Sequence, residues 1–209
     1  MWHKSYPVIL TFCVAIAGCS GEPKEENKKP DDPKGPATVE SGSVSLLSEN
    51  TKIEFVGTKP DGSHQGGFKE FSGKIAIDGK SVKKISLEIQ TASLWADDDK
   101  LANHLKSPDF FNVKEHPTAS FETSKVETKD ETSGEHIITG KLTMLATTKE
   151  ITFPATIKND DGKVTLSSQF KIDRTDFGMD YGQGKVDNEV TIHVEVGSAD
   201  KAAADDGTK

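Results

Sequence analysis

The middle of the chain alternates between apolar and polar residues with a period of two. The alternation is clearest over residues 53–55, 85–89, 151–157, 164–172 and 190–196. Because successive side chains of a β-strand lie on opposite faces of a sheet, each stretch predicts a strand with one apolar and one solvated face. The pattern therefore predicts an all-β protein built from antiparallel strands.

Turn-forming dipeptides separate the alternating stretches. Asp61-Gly62, Asp78-Gly79 and Asp161-Gly162 are of the kind that favours tight hairpin turns. Pro154 cannot donate a hydrogen bond to a neighbouring strand, so we expect its strand at a rim, an edge or a bulge. Many antiparallel strands predict either a β-sandwich or a closed barrel, and the pattern alone does not decide between them.

One short stretch has helical spacing instead. Leu101 and Leu105 are four residues apart, which places them on one face of a predicted helix near residues 98–107. The acidic run at residues 97–99 supplies an N-cap and a favourable charge for the first turn. A turn and another alternating stretch follow, so residues 101–121 predict a helix, a turn and a strand.

The N-terminal residues have the pattern of a bacterial lipoprotein signal. Residues 8–17 are largely apolar, but they are too few to cross a hydrocarbon core, which needs about 20 helical residues. They are typical of a secretory signal peptide. The run ends at Ile16-Ala17-Gly18-Cys19, which resembles a lipobox. Residues 1–18 are therefore predicted to be removed and Cys19 to be acylated, although an ordinary signal peptide cleaved near Ala17-Gly18 is the alternative.

An acylated Cys19 implies an exported protein that is anchored in a membrane and faces the periplasm. Ser20, rather than Asp, follows it, which favours the outer membrane. Residues 19–42 and 198–209 are polar and predict a disordered tether and tail around a domain at residues 43–197. After cleavage Cys19 is the only thiol, so the domain is expected to rely on its core rather than on disulfides.

The negative charge of the chain argues against nucleic acid as a partner. The formal net charge is −8, from 34 acidic and 26 basic residues. A negative surface repels phosphates, so nucleic acid is not an expected partner. Membrane association is expected through the acyl anchor instead.

Five segments carry a resemblance to a known family. They are GTKPDGSHQGGFKEFSGKI at residues 57–75, LANHLKSPDFFNVKEHPTASF at 101–121, ITGKLTM at 138–144, IDRTDFGMD at 172–180 and VDNEVTIHVEV at 186–196. In this order they resemble the YceI-like family over residues 43–197. The resemblance implies a lipocalin-like antiparallel barrel of about eight strands with an isoprenoid or fatty-acyl ligand in its interior. The first hairpin departs from the family because it is rich in glycine.

The predicted ligand site is the apolar interior of that barrel. Its walls are the apolar members of the alternating stretches, and for each of them an ordinary role in the core is the alternative. The predicted ligand-binding residues are Phe55, Ile75, Leu87, Ile89, Phe121, Leu142, Phe153, Leu166, Phe170, Ile192 and Val194.

Four further residues are candidates for the mouth of the barrel. The resemblance implies that the segment after the helix helps to close the mouth, so Phe110 and Phe111 either contact ligand or pin the segment to the barrel. His64 lies in the family-like GSHQGG loop and is a candidate contact for a head group. Arg174 either meets an anionic head group or forms a structural ion pair with Asp173 or Asp176.

The sequence does not predict catalysis or a metal site. The histidines have no HxH or HxxxH spacing, and there is no GxSxG nucleophile elbow. We therefore expect a non-enzymatic protein, without cofactor or metal, that carries or buffers a long isoprenoid or fatty-acyl ligand. The alternative is a filled-core interaction module of the cell envelope that docks a partner protein through its loops. A homodimer is compatible with either hypothesis.

Overall fold

The computed structural model describes residues 41–160 and 163–197, without the side chain of Ser41. The predicted signal peptide, Cys19, nearly all of the tether and the polar tail lie outside the described residues. The eleven strands of the described chain are β1 (Ser41–Leu46), β2 (Thr51–Lys59), β3 (Gly62–Phe68), β4 (Phe71–Asp78), β5 (Ser81–Gln90), β6 (Leu94–Ala96), β7 (Thr118–Asp130), β8 (Glu135–Met144), β9 (Thr147–Asp160), β10 (Lys163–Asp173) and β11 (Glu189–Val196).

All eleven strands belong to one antiparallel sheet. Its order is β1-β4-β5-β7-β8-β9-β10-β11-β2-β3-β6. The sheet curves around an apolar interior, because every strand except β6 contributes a side chain to the wall of one internal cavity. The all-β, lipocalin-like fold predicted from the alternation and from the family resemblance is therefore confirmed.

The predicted number of about eight strands is wrong for the described residues. The strands that the alternation does not reveal have little apolar pattern of their own. β3 reads GSHQGGF, and β6 is only three residues long. Their pairing depends on neighbouring strands, with β3 between β2 and β6. Periodicity cannot detect a strand that is specified mainly by its neighbours.

The predicted helix is present and slightly shorter than expected. Helix α1 spans Asp99–Leu105 rather than residues 98–107. Asp98 is its N-cap, and its carboxylate accepts a hydrogen bond of 2.8 Å from the Leu101 backbone N–H. Asp99 lies in the first turn, where its negative charge interacts favourably with the helix dipole. Two 3₁₀ helices complete the structure, at Thr91–Ser93 and Arg174–Phe177.

Pro154 lies beyond the end of the backbone pairing between β9 and β10. β9 and β10 pair only from Asp160–Lys163 to Thr156–Ser167, so Pro154 is beyond the end of that ladder. On its other side it pairs with Ile137 of β8. The Ser168 hydroxyl donates to the Pro154 carbonyl over 2.6 Å and connects the two strands where backbone pairing has ended. β9 is not an edge strand, because it lies between β8 and β10, and only its part before Thr156, which includes Pro154, lies outside the ladder with β10.

The core has two parts at different depths of the sheet. One part is centred on Ile75 and Ile138, neither of which is exposed. The second lies beneath α1 and includes Leu105, Phe110 and Phe177. No helix in the described part of the chain has both the length and the apolar character needed to cross a membrane.

Candidate ligand-binding site

The interior of the sheet contains an inner cavity of about 120 Å³. Its lining side chains are Leu46, Thr51, Ile53, Phe68, Ile75, Ile85, Leu87, Ile89, Phe121, Ile138, Leu142, Met144, Ile151, Phe153, Leu166, Phe170, Ile172, Ile192, Val194 and Val196. Thr51 is the only polar residue of this lining, and its hydroxyl donates to Asn50 Oδ1 over 2.9 Å. The inner cavity therefore leaves no polar side chain in need of a ligand or water.

An outer cavity of about 250 Å³ lies between the sheet, α1 and the loop after β10. Its lining residues are Phe55, Gly57, Thr58, Lys59, His64, Phe68, Leu101, Leu105, Phe110, Phe111, Met144, Ile172, Arg174, Met179, Val186, Val190 and Ile192. A dry apolar cavity of roughly 150 Å³ is already large enough to take up benzene. The outer cavity is larger and carries its few polar groups together with an apolar wall.

The two cavities share a boundary made of four side chains. Phe68, Met144, Ile172 and Ile192 line both of them. An apolar molecule that entered the outer cavity would therefore meet the inner cavity across these residues. The arrangement suits an elongated ligand with a polar end in the outer cavity and an apolar tail in the inner one.

The predicted wall residues come together in the structure. Phe55 lines the outer cavity, Ile192 lines both, and the other nine line the inner cavity. Phe153 stacks on Phe170 with ring centroids 4.2 Å apart, and Phe121 lies 5.6 Å from Phe153. Their common placement is a property of the fold, and their contact with a ligand stays a prediction.

Arg174 lines the outer cavity but is held by the protein itself. It is buried, with 4 % of its surface exposed. Its Nε donates to the Asp187 carbonyl over 3.1 Å, its Nη1 donates to the Met179 carbonyl, and its Nη2 lies 3.4 Å from the Val186 carbonyl. Within the described residues it forms no ion pair with Asp173 or Asp176, and Asp176 lies 3.4 Å from Lys149 instead.

The guanidinium of Arg174 therefore orders the loop that follows β10. This loop contributes Met179 and Val186 to the outer cavity. Asp173, at the N-cap of the 3₁₀ helix that contains Arg174, accepts hydrogen bonds from the Thr175 hydroxyl and backbone N–H. These two bonds lower the pKa of the Asp173 carboxyl. In place of the ion pair with Asp173 or Asp176 that the sequence suggested, Arg174 forms hydrogen bonds with backbone carbonyls.

His64 lies at the rim of the outer cavity and contacts an acid that the sequence assigned only to helix capping. His64 Nδ1 is 3.0 Å from Asp97 Oδ1, and Asp97 Oδ2 accepts from the Gln65 backbone N–H over 3.1 Å. Hydrogen bonds from the Gln65 backbone N–H and from the His64 imidazole lower the pKa of the Asp97 carboxyl. The Asp97 carboxylate therefore orients the His64 imidazole at the rim of the outer cavity.

Phe110 and Phe111 pack against the protein and line the outer cavity at the same time. The Phe110 ring is buried and lies 5.2 Å from His104 and 5.5 Å from Tyr181. The Phe111 ring lies 5.6 Å from Phe68 in an edge-on arrangement. The segment after α1 is therefore pinned to the sheet by these rings, and the same rings form part of the cavity wall.

Sequence reasoning missed part of the lining. Ile53, Ile85, Ile151 and Ile172 were members of alternating stretches, so the same periodicity would have assigned them to the interior. Leu101 and Leu105 carried the helical spacing. Met179 and Val186 lie in a loop without periodicity, and nothing in the local sequence predicts that they contact a cavity.

The described residues contain no group of three or more His, Cys, Asp or Glu side chains that could hold a metal ion. All buried side-chain nitrogen and oxygen atoms of this part of the chain have a hydrogen-bond partner. The geometry that is present can bury an apolar molecule and contact its polar end, which requires no bond to be made or broken.

Several known proteins are similar to this chain. A UPF0312 protein of Pseudomonas putida strain GB-1 is 32 % identical over 140 residues, which are 63 % of this chain and 71 % of that protein. The Campylobacter jejuni YCEI protein matches with a TM-score of 0.57 and 30 % identity, covering 63 % of this chain and 81 % of that one.

Two more distant structures share the fold. BcnA of Burkholderia cenocepacia matches with a TM-score of 0.62 and 24 % identity, covering 70 % of this chain and 94 % of BcnA. A polyisoprenoid binding domain from Saccharophagus degradans matches with a TM-score of 0.58 and 11 % identity, covering 74 % and 95 % of the two chains. The family model of the YceI-like domain matches residues 45–197, and the chain therefore belongs to the YceI-like family.

Proposed function

We propose that the protein binds one long apolar molecule, an isoprenoid or a fatty-acyl chain, in the two joined cavities and carries or buffers it without chemical change. The observation that carries the proposal is that two adjacent cavities with largely apolar walls share four wall residues. The polyisoprenoid binding domain of Saccharophagus degradans shares the fold and supports the choice of ligand class.

The energetics of such a site are sufficient. Burial of one methylene contributes about 0.8 kcal/mol, so ten methylenes contribute roughly 8 kcal/mol before ordering costs. That corresponds to a dissociation constant on the order of micromolar. Apolar walls discriminate weakly between tails, since one methylene changes affinity only about fourfold. We therefore expect the protein to accept related tails of similar length.

The cellular setting of the proposal comes from the sequence. The signal-like N-terminus and Cys19 support an exported lipoprotein that is anchored by acyl chains and faces the periplasm, with the outer membrane favoured by Ser20. The alternative of a filled-core interaction module requires an interior without space for a ligand. The described interior instead contains cavities of about 120 and 250 Å³.

A cavity-blocking variant tests the proposal. Ile192 lines both cavities, so an indole in its place would take up space at their shared wall. We expect Ile192→Trp to weaken binding of tritiated geranylgeraniol at least tenfold in an equilibrium titration. Thr191→Trp is the matched control, because Thr191 directly precedes Ile192 on β11 and lines neither cavity. Equal affinities of both variants and the unmodified protein would overturn the proposal.

A further inference from the structure

His64 and Asp97 form an oriented pair at the rim of the outer cavity. The Asp97 backbone N–H donates to the Gln65 carbonyl over 2.9 Å, and Asp97 Oδ2 accepts from the Gln65 N–H over 3.1 Å. The second carboxylate oxygen, Oδ1, lies 3.0 Å from His64 Nδ1. Hydrogen bonds from Gln65 and His64 lower the pKa of Asp97, so its carboxylate is ionised at neutral pH.

This pair fixes which nitrogen of His64 carries the proton. An ionised carboxylate can only accept a hydrogen bond, so the hydrogen in the contact belongs to Nδ1. A neutral imidazole has a single N–H, and Nε2 is therefore left with a lone pair that can only accept. Among the described residues Nε2 has no hydrogen-bond partner. The nitrogen that remains for a ligand is an acceptor.

The Thr58 hydroxyl at the rim has a similar bias. The Thr58 hydroxyl donates its hydrogen to Asp187 Oδ2 over 2.5 Å, so its oxygen can only accept a further bond. Three of the five N–H groups of Arg174 donate to backbone carbonyls, and the other two have no partner among the described residues. Lys59 is the exposed donor at the end of β2. The carboxylates of Asp97 and Asp187 disfavour a negative charge beside His64 and Thr58.

We propose that the site selects amphiphiles whose head group is a neutral hydroxyl, such as long-chain or isoprenoid alcohols, by accepting the hydroxyl hydrogen at His64 Nε2. An ether of the same tail has no hydrogen to donate, and a carboxylate has no hydrogen to donate and would meet the Asp97 carboxylate beside His64. The inference rests on the proposed function, because it names the head group of the molecule whose tail fills the cavities.

A matched set of ligands tests the inference. Hexadecanol, hexadecyl methyl ether and palmitic acid share one tail, and their affinities are compared by competition with tritiated geranylgeraniol at pH 8.5. We expect the alcohol to bind about tenfold more tightly than the ether, which is the effect of one hydrogen bond at a partly exposed site. We expect the acid, which has no hydrogen to donate to Nε2, to bind more weakly than the alcohol.

Asp97→Asn is the decisive variant. Its amide oxygen stays on the Gln65 N–H, so its NH₂ group faces His64 Nδ1, and the imidazole proton moves to Nε2. Nε2 can then donate to the ether, and the preference for the alcohol should fall to within about twofold. His64→Ala, which has no ring nitrogen, should also abolish the preference. Circular dichroism melting of both variants checks that they fold.

The outcomes separate this inference from the proposed function. If none of the three ligands binds, both fail. If all three bind with equal affinity to the unmodified protein, the tail site stands and the hydroxyl inference is overturned. A preference for the alcohol that is unchanged in both variants would also overturn it, because the selection would then not involve His64.

Discussion

The buried Arg174 side chain holds the loop that forms one wall of the outer cavity. Arg174 donates to the carbonyls of Met179, Val186 and Asp187, and two of these three residues line the outer cavity. The loop has little regular structure with which to satisfy its carbonyls. The guanidinium, with several donors in one plane, replaces the missing backbone partners.

Removal of this cation should therefore destabilise the fold. Arg174→Met keeps much of the buried volume but leaves the three carbonyls without their donors, so we expect the free energy of unfolding to fall by about 2–4 kcal/mol. Urea denaturation measures the change. Lys171→Met is the control, because Lys171 is exposed and its one ion pair among the described residues is with Glu189 at 2.9 Å, and such surface pairs contribute about 0–1 kcal/mol. Equal losses in both variants would contradict the role assigned to Arg174.

The glycines of the first hairpin have a packing role. A Cβ at Gly66 would contact the Phe55 ring and would lie 2.6 Å from the Trp95 carbonyl oxygen. The missing side chain therefore makes room for Phe55, which lines the outer cavity. The glycine-rich hairpin contributes to the cavity through the aromatic ring that its glycines accommodate.

Substitution at Gly66 should reveal this close contact. Gly66→Ala forces Phe55 or the backbone at Trp95 to move, and we expect it to lower the free energy of unfolding by about 1–3 kcal/mol. Gly57→Ala lies on the same hairpin, where a Cβ meets no atom within 4 Å, and should change stability by less than about 1 kcal/mol. Thermal denaturation of the two variants compares them directly. A larger loss at Gly57 than at Gly66 would be inconsistent with this explanation.

At the scale of elements, the sequence predicts those whose residues carry a pattern of their own. The alternation of β10 and β11 and the capped helix α1 can be predicted from local residues. β3 and β6 cannot, because their strand character comes from pairing with each other and with β2. The loop that carries Met179 and Val186 cannot be predicted from its own residues either, because the Arg174 side chain holds its carbonyls in place.

The 3₁₀ helix Arg174–Phe177 should make stability depend on pH through its N-cap. Hydrogen bonds from Thr175 lower the pKa of Asp173 in the folded protein. As the pH falls, the unfolded chain takes up the proton first, so this stabilisation is full above about pH 4 and is lost as the pH falls through the folded-state pKa. We expect the difference in unfolding free energy between the unmodified protein and Asp173→Asn to be constant from about pH 7 to 5 and to shrink below about pH 4. Urea titrations at each pH measure it, and a difference that grows on acidification would exclude this role.

At the scale of the whole molecule, one curved sheet supplies both the stable core and the ligand site. Buried side chains such as Ile75 and Ile138 belong to the core and line the inner cavity, and the outer cavity lies between the sheet, α1 and the loop held by Arg174. The eleven wall residues predicted from the sequence all line one cavity or the other, but the sequence missed others such as Met179 and Val186. It could not predict how much space they leave, because a cavity depends on the curvature of the sheet and on the residues that cover its open end.

The most direct test of the account is native mass spectrometry of the protein after expression in a bacterial envelope with Cys19 replaced, followed by solvent extraction of bound material. The account predicts a complex with one isoprenoid or acyl molecule per chain, whose identity the extract reveals. A mass that corresponds to the protein alone, unchanged after incubation with geranylgeraniol and hexadecanol, would contradict the central claim that the interior is a ligand site.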